Sequence, residues 1–402
     1  MSLTAPFRIL ALEVVILGLT VAFLLTERLM LSALWLGVGI LAAVGASRWT
    51  AGEDGTPWAL LATHRGWAVG GLVVLLLAVP LLLRSSPYWL FVLVLAGVHA
   101  LMAVGLNVQV GSADMVNLGF AGFTAIGAYT SAILSRGLGL SPWLSLWIGG
   151  LAAAAVGVAV GLPAARTRGY SFSLVTIAFG IIVYLSLINL PAVGGPSGLG
   201  SIPPFSIGGT SLRSALSVAD LHLPPQAGSY YLVLGLLALA VTSALRLHRS
   251  VPGLVWNALR EDEIATKVLG VDVVRAKLWA MGLGTFFGGI AGAFYAHTVG
   301  FIAPDNFTFL HSVMLVSMVI LGGADNVAGV LLGAVVLTII PEKFRAFQDY
   351  RLLLYGVVLV VMLHLRPQGL LPRVVRTYAS VPRRPEGARR PEPVAADTVA
   401  VR

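Results

Sequence analysis

Arg260, Glu261, Asp262 and Glu263 stand in direct succession, and Lys267, Asp272, Arg275 and Lys277 come within seventeen residues of Arg260. Dense ionisable groups of both signs among small and apolar residues make an amphipathic segment that must lie in water against something. The next stretch of chain cannot lie in water. From Leu278 to Gly300 no residue is ionised, and roughly 20 apolar residues suffice to cross a bilayer core as a helix. A charged surface helix fused to a spanning helix, over Val251 to His297, is suited to pass on a push from a soluble partner.

Other chemistries are excluded by what is missing. Lysine occurs only at 267, 277 and 343, none after Gly and none before Ser or Thr, so no phosphate-cradling loop exists and the chain cannot hydrolyse ATP by itself. No Ser/His/Asp or His-Glu-x-x-His constellation appears, and His64, His99, His222, His248, His297, His311 and His364 lack metal-ligand spacing. They read as packing or interfacial residues. With no cysteine there are no disulfides and no thiolate metal sites. Carboxylates within apolar runs are almost absent, Glu13 and Asp114 being the exceptions, whereas an ion-driven carrier usually keeps buried carboxylates despite a cost of about 2.5–3.5 kcal/mol each.

The elements that must position this segment are membrane helices. The chain is 57% hydrophobic and 11% charged, where a soluble domain carries about 25% charged residues. The fold class expected is all-α: a polytopic membrane protein of about 10–12 transmembrane helices with a cytoplasmic coupling helix. Candidate spans are 7–25, 29–46, 67–83, 87–107, 115–134, 143–165, 171–190, 229–247, 278–300, 307–322, 326–341 and 350–366. The run 115–134 is rich in Gly and polar residues and 326–341 is short, so broken or re-entrant helices belong among the options.

The net charge of +9 reflects basic residues gathered at span ends, the pattern of the positive-inside bias, and not a nucleic-acid surface. Threading twelve spans puts Arg166, Arg168, Arg246, Arg249, Arg260 and the basic tail on one side, with both termini cytoplasmic; the mixed-charge loop around Glu342 to Arg351 breaks that pattern. The amino terminus reads as a retained span, not a cleaved signal. The chain divides into three units: 1–83, an amino-terminal extension of about three spans; 84–372, the main membrane domain, with its coupling segment at 251–277; and 373–402, a disordered basic tail. Gly284, Gly288 and Gly292 recur every four residues, making one helix face flat enough for another backbone to approach. Tight packing within one subunit accounts for this, and sliding of that face is the functional alternative.

Three blocks carry a resemblance. GLNVQVGSADMVNLGFAGFTAIGAYTSAIL from Gly105, TRGYSFSLVTIAFGIIV from Thr167 with GGPSGL from Gly194, and ALREDEIATKVLGVDVVRAKLWA from Ala258 with LGGADNVAGVLLGAVVL, YRLLLYG and RPQGLLP are similar to the LivM-like permease subunits of branched-chain amino acid ABC importers. The likeness covers roughly 87–372. Asp114, Asn117 and Phe120 depart from the family pattern, and substrate identity is the property they bear on.

The resemblance implies an ATP-driven importer in a bacterial or archaeal cell membrane. Its other parts would be a second, LivH-like permease, two cytoplasmic ABC ATPases that bind the ATP, and an extracytoplasmic substrate-binding protein; the chain itself would carry no cofactor and be no enzyme. It points to Arg260, Glu261, Asp262, Glu263, Ala265 and Gly270 for ATPase docking, Gly270 letting the helix turn back to the membrane. Polar residues on spans are the candidates for the translocation path: Asn107, Gln109, Asn117, Thr124, Tyr129, Thr176, Tyr184 and Asn189. The loop 191–228, poor in charge, is expected outside, where a binding protein would arrive. A urea or short-amide ABC permease and an ion-coupled secondary transporter remain the alternatives.

Overall fold

Apolar runs of this length fold as helices because hydrocarbon offers no partner for a backbone N–H or C=O, and a helix satisfies both within the segment. The computed structural model describes residues 65–165, 170–214, 216–218, 221–343 and 369–371, with isolated helical positions at 14, 18, 20–22, 353, 356–357, 360 and 364. Most of the expected spans 7–25, 29–46 and 350–366, and the whole tail 373–402, lie outside the described residues.

In chain order the helices are α1 (Arg65–Leu82), α2 (Pro87–Asn107, running on as a π-helical turn Val108–Ser112), α3 (Phe120–Gly137), α4 (Pro142–Ala164), α5 (Tyr170–Asn189), α6 (Ala227–His248), α7 (Val251–Glu261), α8 (Glu263–Val268), α9 (Val273–Val299), α10 (Phe309–Gly322) and α11 (Val327–Lys343). Six helices among the described residues are long and apolar enough to cross a bilayer: Pro87–Ser112, Pro142–Ala164, Ser171–Asn189, Ala227–His248, Val273–Val299 and Pro304–Gly322. The protein is an all-α multi-pass membrane protein. Of the two runs singled out as irregular, 115–134 is interrupted, since helix α3 starts only at Phe120 after a turn in which Asp114 has φ +53°, whereas 326–341 is unbroken, α11 being one helix of 17 residues.

Two small departures from the all-helical expectation lie in the 191–228 loop. Ser206–Ile207 (β1) pairs antiparallel with Thr210–Ser211 (β2), and Leu216–Val218 (β3) with Leu221–Leu223 (β4). The GGPSGL turn is anchored as well: Leu199 and Ile302 exchange backbone hydrogen bonds of 2.8 and 2.9 Å, tying this loop to the α9–α10 connection.

Helix α9 is the central post, packed against α2, α3 and α4. Its glycine row explains how. A Cβ on Gly284 would stand 2.6 Å from the Gly105 carbonyl oxygen of α2, one on Gly288 would stand 2.7 Å from the Phe120 ring, and one on Gly292 would overlap the Thr124 carbonyl. The row is therefore filled by neighbours in the same chain. Helix α9 also begins five residues before the apolar run at Leu278, so Arg275 and Lys277 ride on the spanning helix itself and not on a separate surface helix. The RPQGLLP segment closes the other side: Leu370 and Leu371 donate to the carbonyls of Leu321 and Gly322 at the end of α10.

Candidate functional site

The segment expected to couple is two helices, not one. The chain breaks at Asp262, which leaves helical geometry and caps α8 by accepting from the N–H groups of Ile264 and Ala265 at 2.8 and 3.0 Å. Gly270 ends the segment in the left-handed region at φ +82°, and Asp272 caps α9. Helix α7 is strongly amphipathic and buries Gly253, Trp256 and Leu259; the Trp256 indole N–H donates to the Ala276 carbonyl of α9 at 2.8 Å. Glu261, Ala265, Lys267 and Gly270 are exposed, and Val268 and Leu269 are 81% and 78% exposed.

Two of the six nominated docking residues do not face outward. The Glu263 carboxylate pairs with Lys277 of α9 at 3.0 Å. Arg260 turns into the bundle: its guanidinium donates to the Gly111 carbonyl in the π-helical turn and lies 3.7 Å from the Asp325 carboxylate. Asp325 sits in the α10–α11 turn with φ +74°, and its side chain is 1% exposed. Its carboxylate accepts from the Ser112 hydroxyl at 3.1 Å and stands 3.9 Å from His248 Nε2, while its N–H donates to Asn107 Oδ1 at 2.8 Å. Ser112 and His248 are themselves 3.0 Å apart. A search for carboxylates within apolar runs misses Asp325 because it lies between two of them. The Gly-Gly-Ala-Asp-Asn spacing is the signal that marks it.

The polar residues nominated for a path are mostly bonded to one another or to backbone. Gln109 donates to the Met281 carbonyl at 3.2 Å and accepts from Asn117 at 2.8 Å, and the Asn117 carbonyl oxygen accepts from the Gly119 N–H. Thr124 donates to the Ala121 carbonyl; Thr176 donates to the Ser173 carbonyl and accepts from the Leu118 N–H. Asn107, Gln109, Asn117, Thr124 and Thr176 are all buried, and Gln109, Asn117 and Thr176 hold the broken stretch between α2 and α3. Asn189 is exposed and donates to its own helix at Leu185. Buried Tyr129, whose ring meets Phe307 edge-on, has a hydroxyl without a hydrogen-bond partner among the described residues.

None of these eight lines the cavity among α2, α9 and α10. A space of about 690 Å³ lies among Leu95, Val98, His99 and Met102 of α2, Tyr295 of α9 and the stretch from Asp305 to Ser317. Its walls are aliphatic, thioether and aromatic side chains together with His99, His311 and Ser317, and Asp305, Asn306 and Thr308 supply further polar groups at the end remote from α7 and α8. Tyr184 reaches it indirectly, donating to Asp305 at 3.1 Å. His99 and His311, which read as packing residues in the sequence, face each other there at 5.5 Å between ring centres, and His99 contacts Thr338 at 3.1 Å. Such a chamber suits an aliphatic solute with a polar end. Among the described residues no cluster of His, Asp or Glu could hold a metal.

Residues 88–363 match the family described as the branched-chain amino acid transport system permease component. The chain is 39% identical over 288 residues, 68% of either chain, to the high-affinity branched-chain amino acid transport system permease protein LivM of Escherichia coli K12. It is 38% identical over the same length to LivM of Salmonella typhimurium. A probable LivM of Methanocaldococcus jannaschii is 24% identical over 329 residues, covering 69% of this chain and 91% of that one. No solved structure matches.

Proposed function

The chain belongs to the branched-chain amino acid permease family, and from that premise we propose that it is the LivM-like subunit of an ATP-driven importer for branched-chain, hydrophobic amino acids. A second, LivH-like permease completes the path, an extracytoplasmic binding protein delivers the substrate, and two cytoplasmic ABC ATPases bind and hydrolyse the ATP. The chain contributes the membrane helices and the mechanical link, not a reaction of its own.

The observation that carries this reading is the α7–α8 elbow. Val268 and Leu269 stand almost fully in the open beside Glu261 and Lys267, at the end of a helix pair whose opposite face is locked onto α9 through Trp256 and Glu263. Apolar side chains raised on a charged rim are costly in water and favourable in a partner's groove. Driving that elbow moves α9, and α9 contacts α2, α3 and α4. The largely apolar chamber between α2 and α10 accepts the side chain of leucine, isoleucine or valine, with the polar groups near Asp305 available to the amino-acid head.

The test is reconstitution of the purified complex in vesicles, with radiolabelled leucine added together with binding protein. Uptake dependent on ATP on the α7–α8 side supports the proposal. Failure of ATPase subunits to copurify with the chain, or uptake of urea in preference to leucine, overturns it.

A further inference from the structure

Three separate segments converge on Asp325, and one of them is the coupling helix. The π-helical turn after α2 contributes Ser112 and the Gly111 carbonyl, the end of α6 contributes His248, the last turn of α7 contributes Arg260, and Asn107 fixes the Asp325 backbone. The turn is packed to hold this position: a Cβ on Gly111 would stand 2.9 Å from the Asp325 Cα and would overlap its nitrogen. A carboxylate 1% exposed is tolerable only while its charge is compensated. Arg260, His248, Ser112 and Asn107 are among the groups that face it, and Arg260 brings a permanent positive charge.

We infer that Arg260 and Asp325 are positioning residues that carry movement of α7 to the π-helical turn of α2 and to the α10–α11 turn, so that the coupling helices act on two sides of the path and not on α9 alone. The inference rests on the reading of α7 and α8 as the ATPase-docking elbow. A shift of α7 that left Asp325 behind would draw the guanidinium away from both the buried carboxylate and the Gly111 carbonyl it donates to, so the two move together. Both elements reached in this way wall the chamber: α2 supplies Leu95 to Met102 and α10 supplies Leu310 to Ser317. Gly111 lies in the last turn of this helix, where carbonyls have no partner within the helix and accept from an outside donor. Here the Arg260 guanidinium is that donor, at Gly111.

The experiment compares Arg260→Gln, Arg260→Lys and Asp325→Asn in the complete complex reconstituted in vesicles, reading leucine uptake and ATP hydrolysis together. Asparagine keeps an acceptor for Ser112 and the backbone bond to Asn107 while removing the charge. The expected result is assembly with ATPase subunits at the parent's yield, ATP hydrolysis within about twofold of the parent, and leucine moved per ATP lowered at least tenfold in Arg260→Gln and Asp325→Asn, with Arg260→Lys regaining part of it. A parent-like ratio in Arg260→Gln overturns the inference, and so does a parallel loss of hydrolysis and uptake at unchanged ratio, which a merely structural contact would give. Should Asp325→Asn fail to assemble, Arg260→Gln, altered at the more exposed partner, decides alone. Leu269→Glu separates the two levels: if it leaves ATPase binding intact the docking reading has failed, whereas loss of binding there with a parent-like Arg260→Gln means the relay alone is wrong.

Discussion

Glu263 and Lys277 form an ion pair of 3.0 Å across the Gly270 turn, linking the start of α8 to the first turns of α9. The lysine side chain is 7% exposed and the carboxylate 28%, so the pair is screened from salt better than a surface contact. Its location means that charge reversal at Glu263 acts first inside the chain and only then on a docking partner.

Glu263→Lys therefore places two ammonium groups together and should loosen α8, uncoupling hydrolysis from uptake while membrane insertion persists. Loss of one partner of a largely buried pair costs about 3–5 kcal/mol at most, and less here because the carboxylate is partly solvated. The swap Glu263→Lys with Lys277→Glu should recover a large part of transport. If the swap is no better than the single change, docking and not the internal pair governs this position.

On the glycine face of α9, Gly288→Leu should abolish a stable folded subunit, since even its Cβ would meet the Phe120 ring. Overpacking typically costs about 1–3 kcal/mol, and more when backbone must move. Gly288→Ala should be milder than Gly292→Ala, because an aromatic ring can swing whereas the Thr124 carbonyl cannot. Thermal unfolding in detergent, followed by size exclusion, checks that order; equal stability of the two alanine variants would show that the contacts at 292 are not backbone-tight.

Filling the chamber gives a separate test of the path. Met314→Trp adds volume where α10 faces α2 and should cut leucine uptake by more than tenfold while ATPase subunits still copurify. Normal uptake by a well-expressed Met314→Trp complex would place the path elsewhere.

Direction and energy distinguish the importer from a gradient-driven carrier. The chain has no phosphate loop, and its buried carboxylate Asp325 is engaged with Arg260, Ser112 and His248. Alone in liposomes it should be inert under any proton or sodium gradient, and active only with ATPases, companion permease and binding protein. Gradient-driven uptake by the isolated chain would reverse the conclusion.

Composition and local pattern determined the membrane class, the positions of most described spans, and the charged segment with its Gly270 exit, because each depends on residues a few positions apart. Apolar length fixes a span, a glycine at every fourth position fixes a flat face, and a run of mixed charge fixes a water-facing elbow. The family blocks were legible for the same reason. Only the tertiary structure decided where the charges went: Arg260 lies 65 positions before Asp325 and turns inward to meet it, while Glu263 is taken up by Lys277. It also decided that polar span residues such as Gln109 and Asn117 stitch a broken helix together, and that His99 and His311 face a chamber. In hydrocarbon every polar group must find a partner, and which partner it finds is set by helix packing across more than a hundred residues of sequence, which no local pattern records.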